Sequence, residues 1–443
     1  MNIQLSEHFT YKKLLRFILP SIIMMVFTSI YSVVDGIFVS NFVGKSAFAS
    51  VNLIMPYLMG ISALGFMIGT GGSAFVSKTL GEGKKELANQ YFSMLVTIAA
   101  IGGFVLSVLS FIFMRRIVMA FGAAGDLIDY CTLYGRISCI SLTAFMLQNV
   151  FQSFFVAAGK PQLGLKVIVA AGCTNIVLDA LFIGVLHFGI AGAAFATMTS
   201  EFIDGLLPVV YFFRKNDSLL HFVKPVFDRR VFLKTCTNGS SELMTNLSMS
   251  LVNALYNLQL MKIAGENGVA AYGAVMYVNF IFVATFLGYA IGCAPVISYH
   301  YGAGNHAELK NLYKKSMSII LVWGVILFGA AQLLAPVLSK IFVGYNTGLY
   351  AMTLHGFRVY AIAFLIIGIN IFGSSFFTAL NNGLISAVIS FLRTLVFQVI
   401  MVLTLPLWFG INGIWSAISI AEALTLIMTT TFFVRKKDKY HYL

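Results

Sequence analysis

Apolar runs of about 20 residues, separated by short polar or glycine-containing connections, recur along all 443 residues of the chain. A helix of ~20 apolar residues crosses the ~30 Å hydrocarbon layer of a bilayer. The pattern therefore predicts twelve transmembrane helices, near 14–39, 50–77, 91–113, 131–157, 163–186, 190–213, 236–262, 270–298, 315–336, 352–378, 385–408 and 410–434. The expected fold class is an all-α integral membrane protein. Its longest polar connection, "RKNDSLLHFVKPVFDRRVFLK" (214–234), falls near the middle of the chain. This divides the chain into an N-terminal lobe (1–213), a linker (214–235) and a C-terminal lobe (236–443).

The two halves read as copies of one another. "FGIAGAAFATMTSE" (188–201) aligns with "FGINGIWSAISIAE" (409–422) at an offset of 221, and "SFFVA" (153–157) with "SFFTA" (375–379) at 222. "LGEGKKEL" (80–87) echoes "YGAGNHAEL" (301–309) with one insertion. Six spans per half is an even number, so the pattern predicts two pseudo-symmetric six-helix lobes of the same orientation, related by an axis along the membrane normal. Secondary transporters are commonly built from such repeats, with the site at the repeat interface.

Composition supports the membrane reading: 59% of residues are hydrophobic and only 10% charged, with mean hydropathy +0.89, whereas soluble domains carry about 25% charged residues. The net charge of +13 lies in loops rather than on one groove-like face, which argues against a nucleic-acid partner. The N-terminal region, the even-numbered loops and the C-terminal region hold 21 of the 29 basic residues; the odd-numbered loops and adjoining helix ends hold 7, and Arg393 lies within a span. By the positive-inside rule both termini and the middle linker are expected on the cytoplasmic side. The polar start of the chain is followed by an apolar run too long for a signal peptide and is read as a retained first helix. Five cysteines without paired spacing point to small core residues rather than a disulfide framework or zinc site.

Against this background the polar residues inside spans stand out, because an intramembrane carboxylate costs about 2.5–3.5 kcal/mol on insertion scales and marks a functional site by default. Asp35 lies ~7 Å from the outer end of the first span, and Asp179 and Thr197 each lie ~10 Å from that side, at 1.5 Å rise per residue. Asn175 is one turn before Asp179 on the same helix face. At the repeat offset the counterparts are apolar or aromatic for the most part: Thr197 faces Ile418, Asp179 faces Ile400 or Met401, Asn175 faces Val396 or Phe397, and Asp35 faces Tyr256 or Asn257. The oxygen-rich set thus belongs to the N-terminal half alone. It suits a hard cation such as Na⁺ and equally suits proton storage, since two adjacent buried carboxylates do not both ionise readily.

Other in-span polar groups carry weaker expectations. Glu201 and Glu422 occur in both copies and read as gating or packing positions, with Asp204 extending the face of Glu201. Glu242 is expected either to attract a cationic substrate or to pair with Lys234. Arg393 reads as a neutralising or cavity-lining base, and Tyr31, one turn before Asp35, as a donor to it. "GTGGS" (69–73) and "GEGKK" (81–85) lack the spacing and preceding strand of a phosphate loop. With no nucleophile or metal-ligand constellation outside the spans, no enzyme activity and no cofactor are expected.

These residues resemble a known family. The stretch "AAGKPQLGLKVIVAAGCTNIVLDALFIGVLHFGIAGAAFATMTSE" (157–201) is similar to the G-x-P, N-x-x-x-D and G-x-x-G-A-A-x-A-T pattern of MATE (multidrug and toxic compound extrusion) transporters, and the chain looks like the DinF-like branch. The resemblance implies two lobes forming a V around a central cavity, with multidrug efflux driven by Na⁺ or H⁺. It implies a cation site at Asp35, Asn175, Asp179 and Thr197, organic and cationic substrates, a prokaryotic inner-membrane location, and a chain able to act as a monomer. The alternatives are a lipid-linked saccharide flippase of the same wider superfamily, which would need several deep basic residues where only Arg393 is found, and less favoured, a channel or receptor.

Overall fold

The computed structural model describes residues 4–344 and 346–443, and among these there are helices and connections but no strand. Eleven helical stretches of the described residues are long and apolar enough to span a bilayer. The longest, α7 (Arg229–Gly302), is two helices joined at Gly265, whose φ of 62° and ψ of −153° only glycine adopts readily. Counting both legs, 229–264 and 266–302, gives twelve spans, six in each half of the chain.

In the first half run α1 (Tyr11–Phe38), α2 (Lys45–Gly81), α3 (Lys85–Ala120), α4 (Leu127–Ala157), α5 (Pro161–Asp179) and α6 (Gly189–Phe213). After α7, the second half adds α8 (His306–Val343), α9 (Thr347–Tyr360), α10 (Phe364–Ala379), α11 (Gly383–Phe391), α12 (Phe397–Phe409) and α13 (Ile411–Tyr440). α9 and α10 form one span across a short 3₁₀ turn at 361–363, and α11 and α12 form another across a π-helical turn at 392–396. Helix starts follow side-chain chemistry: Thr10, Asp228, Asn305, Asn346 and Asn382 each accept a backbone N–H of the first turn.

The middle connection is shorter than its charge pattern predicts. Asp228 accepts N–H bonds from Arg230 and Val231, so the basic residues from Arg229 onward are already helical and the linker proper is 214–228. This segment is pinned along α3 rather than free. His221 N–H donates to Asn89 Oδ1 and Val223 N–H to Ser93 Oγ.

The core repeats with the sequence. In the first half Phe92 packs edge-on against Phe154 and Phe212, with centroids 5.0 and 5.1 Å apart, and Phe155 lies 5.8 Å from Phe212. In the second half Tyr313 meets Phe376 and Phe433 at 5.3 and 5.2 Å, and Phe377 lies 5.6 Å from Phe433. Phe154 and Phe155 match Phe376 and Phe377 at an offset of 222 and Phe212 matches Phe433 at 221, the two offsets that align the halves of the sequence, while Tyr313 takes the place of Phe92 one residue out of the 222 register. The "SFF" triplets seen in the sequence are therefore the centres of two equivalent aromatic cores. Large apolar side chains on the outer surface, such as Leu333 (81% exposed) and Leu407 (77%), are explained by lipid as the surrounding solvent. All five cysteines are free; Cys131, Cys139 and Cys293 are buried as expected of core residues, whereas Cys173 is exposed.

The halves meet along α1 and α2 on one side and α7 on the other. Toward the end of the bundle that carries both chain termini, glycines let the backbones touch. A Cβ on Gly71 would collide with Thr235 O and Gly239, one on Gly239 with Met67 O, one on Gly81 with Tyr299 O, and one on Gly302 with Lys78 O. Gly71 and Gly81 are the repeat counterparts of Gly292 and Gly302, and Gly292 packs on Ile18 and Ser21 of α1. The seam is thus pseudo-symmetric, and at this end it is closed.

Candidate functional site

Above the seam, α1 contributes residues 25–35 and α2 residues 55–66 to a cavity of about 220 Å³. Its wall includes Tyr31, Asp35, Gln148, Asn175, Thr197 and Glu201. α1, α4, α5 and α6 each deliver one or more of these groups to the same cavity. Asn175 is 1% exposed and Asp179, one turn on, is 0% exposed. Directly after Asp179 the helix widens into a π-helical turn, 180–185. Such single-turn widenings are enriched at functional sites, and this one ends the regular helix at the carboxylate.

The carboxyl groups of Asp35 and Asp179 face each other within hydrogen-bonding reach. Yet Asp35 Oδ1, both oxygens of Asp179, Asn175 Oδ1 and Thr197 Oγ1 are buried without a hydrogen-bond partner. Glu201 Oε2 shares that condition. Buried polar atoms are normally paired, since an unpaired one costs on the order of 1–3 kcal/mol. Acceptor oxygens gathered in one place without donors form a site that a cation or a proton would satisfy. The donor set is all oxygen, the type preferred by hard cations. Among the described residues no group of three or more His, Cys, Asp or Glu side chains comes together as a metal cluster. Tyr31 stands beside Gln148, and Tyr134 beside Thr197.

The second half holds a different arrangement at the equivalent depth. A cavity of about 170 Å³ is lined by Tyr256, Tyr272, Met276, Tyr360, Arg393 and Glu422. Arg393 Nε donates to Glu422 Oε1 at 2.8 Å, and Asn370 Nδ2 donates to Glu422 Oε2 at 2.7 Å and to its backbone O at 2.9 Å. Arg393 sits in the π-helical turn between α11 and α12. Glu242 falls within the electrostatic reach of Arg393, and no ion pair joins it to Lys234 among the described residues. Met25 lines both cavities, so α1 is the partition between them.

The structure therefore gathers Tyr31, Asp35, Asn175, Asp179, Thr197 and Glu201 in one place, and Glu242, Arg393 and Glu422 in another. Glu201 and Glu422, matched in sequence, differ in state: the first has an unpartnered oxygen, the second has both oxygens engaged. Sequence reading missed Asn370 and Gln148, which are counterparts of one another in the repeat. It also missed Tyr134 and Tyr256, because amides and tyrosines are common enough within spans to carry little signal alone.

Comparison with known proteins gives the same outline. The MatE family model matches residues 20–181 and again 243–404, one copy per half. The multidrug export protein MepA of Staphylococcus haemolyticus is 24% identical over 425 residues, covering 95% of this chain and 92% of its own. MepA of Staphylococcus aureus (strain MRSA252) is 22% identical over 437 residues, covering 97% and 94%. Among solved structures, a multidrug resistance MATE family transporter in an outward-facing conformation superposes with a TM-score of 0.92 at 24% identity, covering 99% of this chain and 98% of its own. A MOP superfamily transporter from Pyrococcus furiosus superposes with a TM-score of 0.90 at 24% identity, covering 98% and 96%.

Proposed function

Because the chain belongs to the MatE family of multidrug efflux transporters, which are not enzymes, we propose that it exports organic cations in exchange for Na⁺ or H⁺ by alternating access. The observation that carries this reading is the set of unpartnered buried oxygens from Asp35, Asn175, Asp179 and Thr197 beside a cavity of the first half whose wall Asn246 of α7 completes. The two lobes, 1–213 and 236–443, rock about the seam, with the linker at the cytoplasmic face. The basic loops orient both termini to the cytoplasmic side of a prokaryotic cell membrane, in keeping with the staphylococcal MepA relatives. With the terminal end closed, the cavities then belong to the outward-facing state. One chain contains both halves and acts as a monomer.

In this cycle the coupling cation enters from outside and binds the Asp35–Asp179 pair. Coupling requires that the cation bind the two states with different affinity. Filling the site replaces missing hydrogen bonds in the outward-facing state, favours release of the organic substrate, and prepares the return inward. Acidic side chains and the many methionines of the walls, Met25, Met55 and Met59 among them, suit apolar cations of varied shape.

The test is efflux of a fluorescent lipophilic cation from proteoliposomes, driven separately by an imposed Na⁺ gradient and an imposed pH gradient. One gradient drives efflux by the unaltered protein, and Asp35→Asn and Asp179→Asn abolish it without loss of expression. Unaltered transport by both variants would overturn the site; failure of both gradients would overturn the antiport reading.

A further inference from the structure

Two non-helical segments clasp the end of the bundle that carries the termini, one of them, 4–9, beginning with a turn in which Glu7 N–H donates to Gln4 O, and the repeat relates their anchors. The linker leads into α7 but is anchored on α3 of the other half through Asn89 and Ser93. Residues 4–9 lead into α1 but are anchored on α8 of the other half. There, Glu308 Oε1 accepts the Phe9 N–H at 2.9 Å, and Glu308 Oε2 meets His8 Nδ1 at 2.5 Å. Asn311 Nδ2 and Lys315 Nζ donate to Phe9 O at 3.0 and 2.6 Å. Asn89 and Asn311 are repeat counterparts at an offset of 222, the register that aligns "LGEGKKEL" with "YGAGNHAEL" past its insertion, and each lies near the start of its helix. Each strap is therefore gripped by one half and runs into the first helix of the other.

The linker is covalently continuous with α6 and needs no further tie to its own half. Among the described residues the strap at 4–9 is held to α8 by the contacts above and by burial. Leu5 is 1% exposed and Phe9 0%, and the Phe9 ring stands edge-on to His300 of α7 and to Phe17. Thr10 alone separates the anchored Phe9 from Tyr11, the first residue of α1. One extended residue spans only ~3.5 Å, so the strap has almost no slack. Were α1 to part from α8 by more than that, Phe9 would leave its site or the first turn of α1 would unwind.

We infer that residues 4–9 form a latch that stabilises the conformation closed at this end and must leave α8 before that end opens. The inference rests on the alternating-access reading above. It adds that the closed state is held by a detachable segment distinct from both cavities and from the glycine seam. The latch is centred on Glu308, whose side chain organises the start of α8 and the end of the strap together.

The test uses the full chain in lipid nanodiscs, with Cys173 and Cys236 replaced by Ala and spin labels placed at Lys84→Cys and Lys437→Cys, exposed positions in opposite halves at this end. Pulsed electron resonance reads the distance between them without substrate or coupling ion. Loss of a hydrogen bond to a charged group corresponds to roughly a tenfold change in an equilibrium. Glu308→Gln, which removes the charged acceptor, is expected to raise the ratio of long-distance to short-distance species by about that factor, and Phe9→Ala, which keeps the backbone bonds but removes the buried ring, by roughly tenfold or more. The two variants need only elute as folded protein. Gly302→Val, which wedges the seam directly, serves as the reference for the open form. If Gly302→Val yields the long-distance species and both strap variants match the unaltered protein, the latch is wrong while alternating access stands. If no variant yields it, the alternating-access reading fails and the latch with it.

Discussion

Glu422 is 1% exposed, and both of its carboxylate oxygens are engaged, one by Arg393 and the other by Asn370. Removing one partner of such a buried pair leaves the other charge uncompensated, at about 3–5 kcal/mol, whereas replacing both by apolar residues is often neutral. Arg393→Leu and Glu422→Leu are each expected to lower the unfolding midpoint in detergent clearly, and the double variant to recover most of the loss. A double variant as unstable as the singles would show that the two side chains do not act as a unit. Asp35 and Asp179 behave in the opposite way. Their oxygens lack donors, so amide variants remove a buried charge and provide N–H donors for neighbouring acceptors. Asp179→Asn is therefore expected to leave the unfolding midpoint unchanged or raise it while transport is lost. A marked fall in stability would mean the carboxylate is structural. The contrast separates a residue kept for packing from one kept against it, since sites that break local rules are where function resides.

At the scale of helices, the spans and their duplication were legible because both follow from hydrophobic period and from local identities such as "SFF" and the G-x-x-G stretch after His187. The N-terminal polar residues were legible too, because they interrupt apolar spans where such groups are costly. What escaped were features that arise between helices. Arg393 and Glu422 lie on different spans, and their pairing depends on how a π-helical turn rotates the guanidinium inward. Gly265 joins two spans without any polar loop, so a connection inferred over several residues shrinks to one backbone conformation. The glycines of the seam, in "GTGGS" (69–73) and "GEGKK" (81–85), showed in the sequence only as short runs that fail as phosphate loops. In the structure, Gly81 and Gly302 are reciprocal, each facing a carbonyl of the opposite half. A side chain at either would push α2 from α7 by more than van der Waals contact tolerates, and interiors do not absorb such volume without shifting backbone. Gly81→Val is accordingly expected to expose this end. Alkylation of a cysteine introduced at Ser77, buried on the inner side of α2, should become faster by an order of magnitude or more. An unchanged rate would indicate that the seam does not set the closed state.

For the whole molecule, duplication with divergence gives two chambers of one architecture and opposite electrical completeness. The first holds carboxylates that meet no basic side chain among the described residues; the second holds a carboxylate engaged by Arg393 and Asn370. α1 forms the wall between them through Met25, so a body filling one chamber bears on the other. On the proposed function, a bulky organic cation and the small coupling cation are drawn to the same uncompensated charge, and their binding must be mutually unfavourable. Linkage makes that antagonism reciprocal, with a coupling of about 1–3 kcal/mol, or ~5–150-fold in affinity. Binding of tetraphenylphosphonium to the purified protein, followed by equilibrium dialysis, is therefore expected to weaken by a factor in that range as the coupling ion is raised to saturation. Asp35→Asn should remove the dependence while retaining part of the binding, because the aromatic and methionine walls remain. A protein with its only free charge in the second chamber would show the converse, with Glu242 rather than Asp35 controlling the effect. An affinity that does not change with Na⁺ or with pH would mean that the two cations do not compete through these oxygens, and the unpartnered set beside the first chamber would need another occupant.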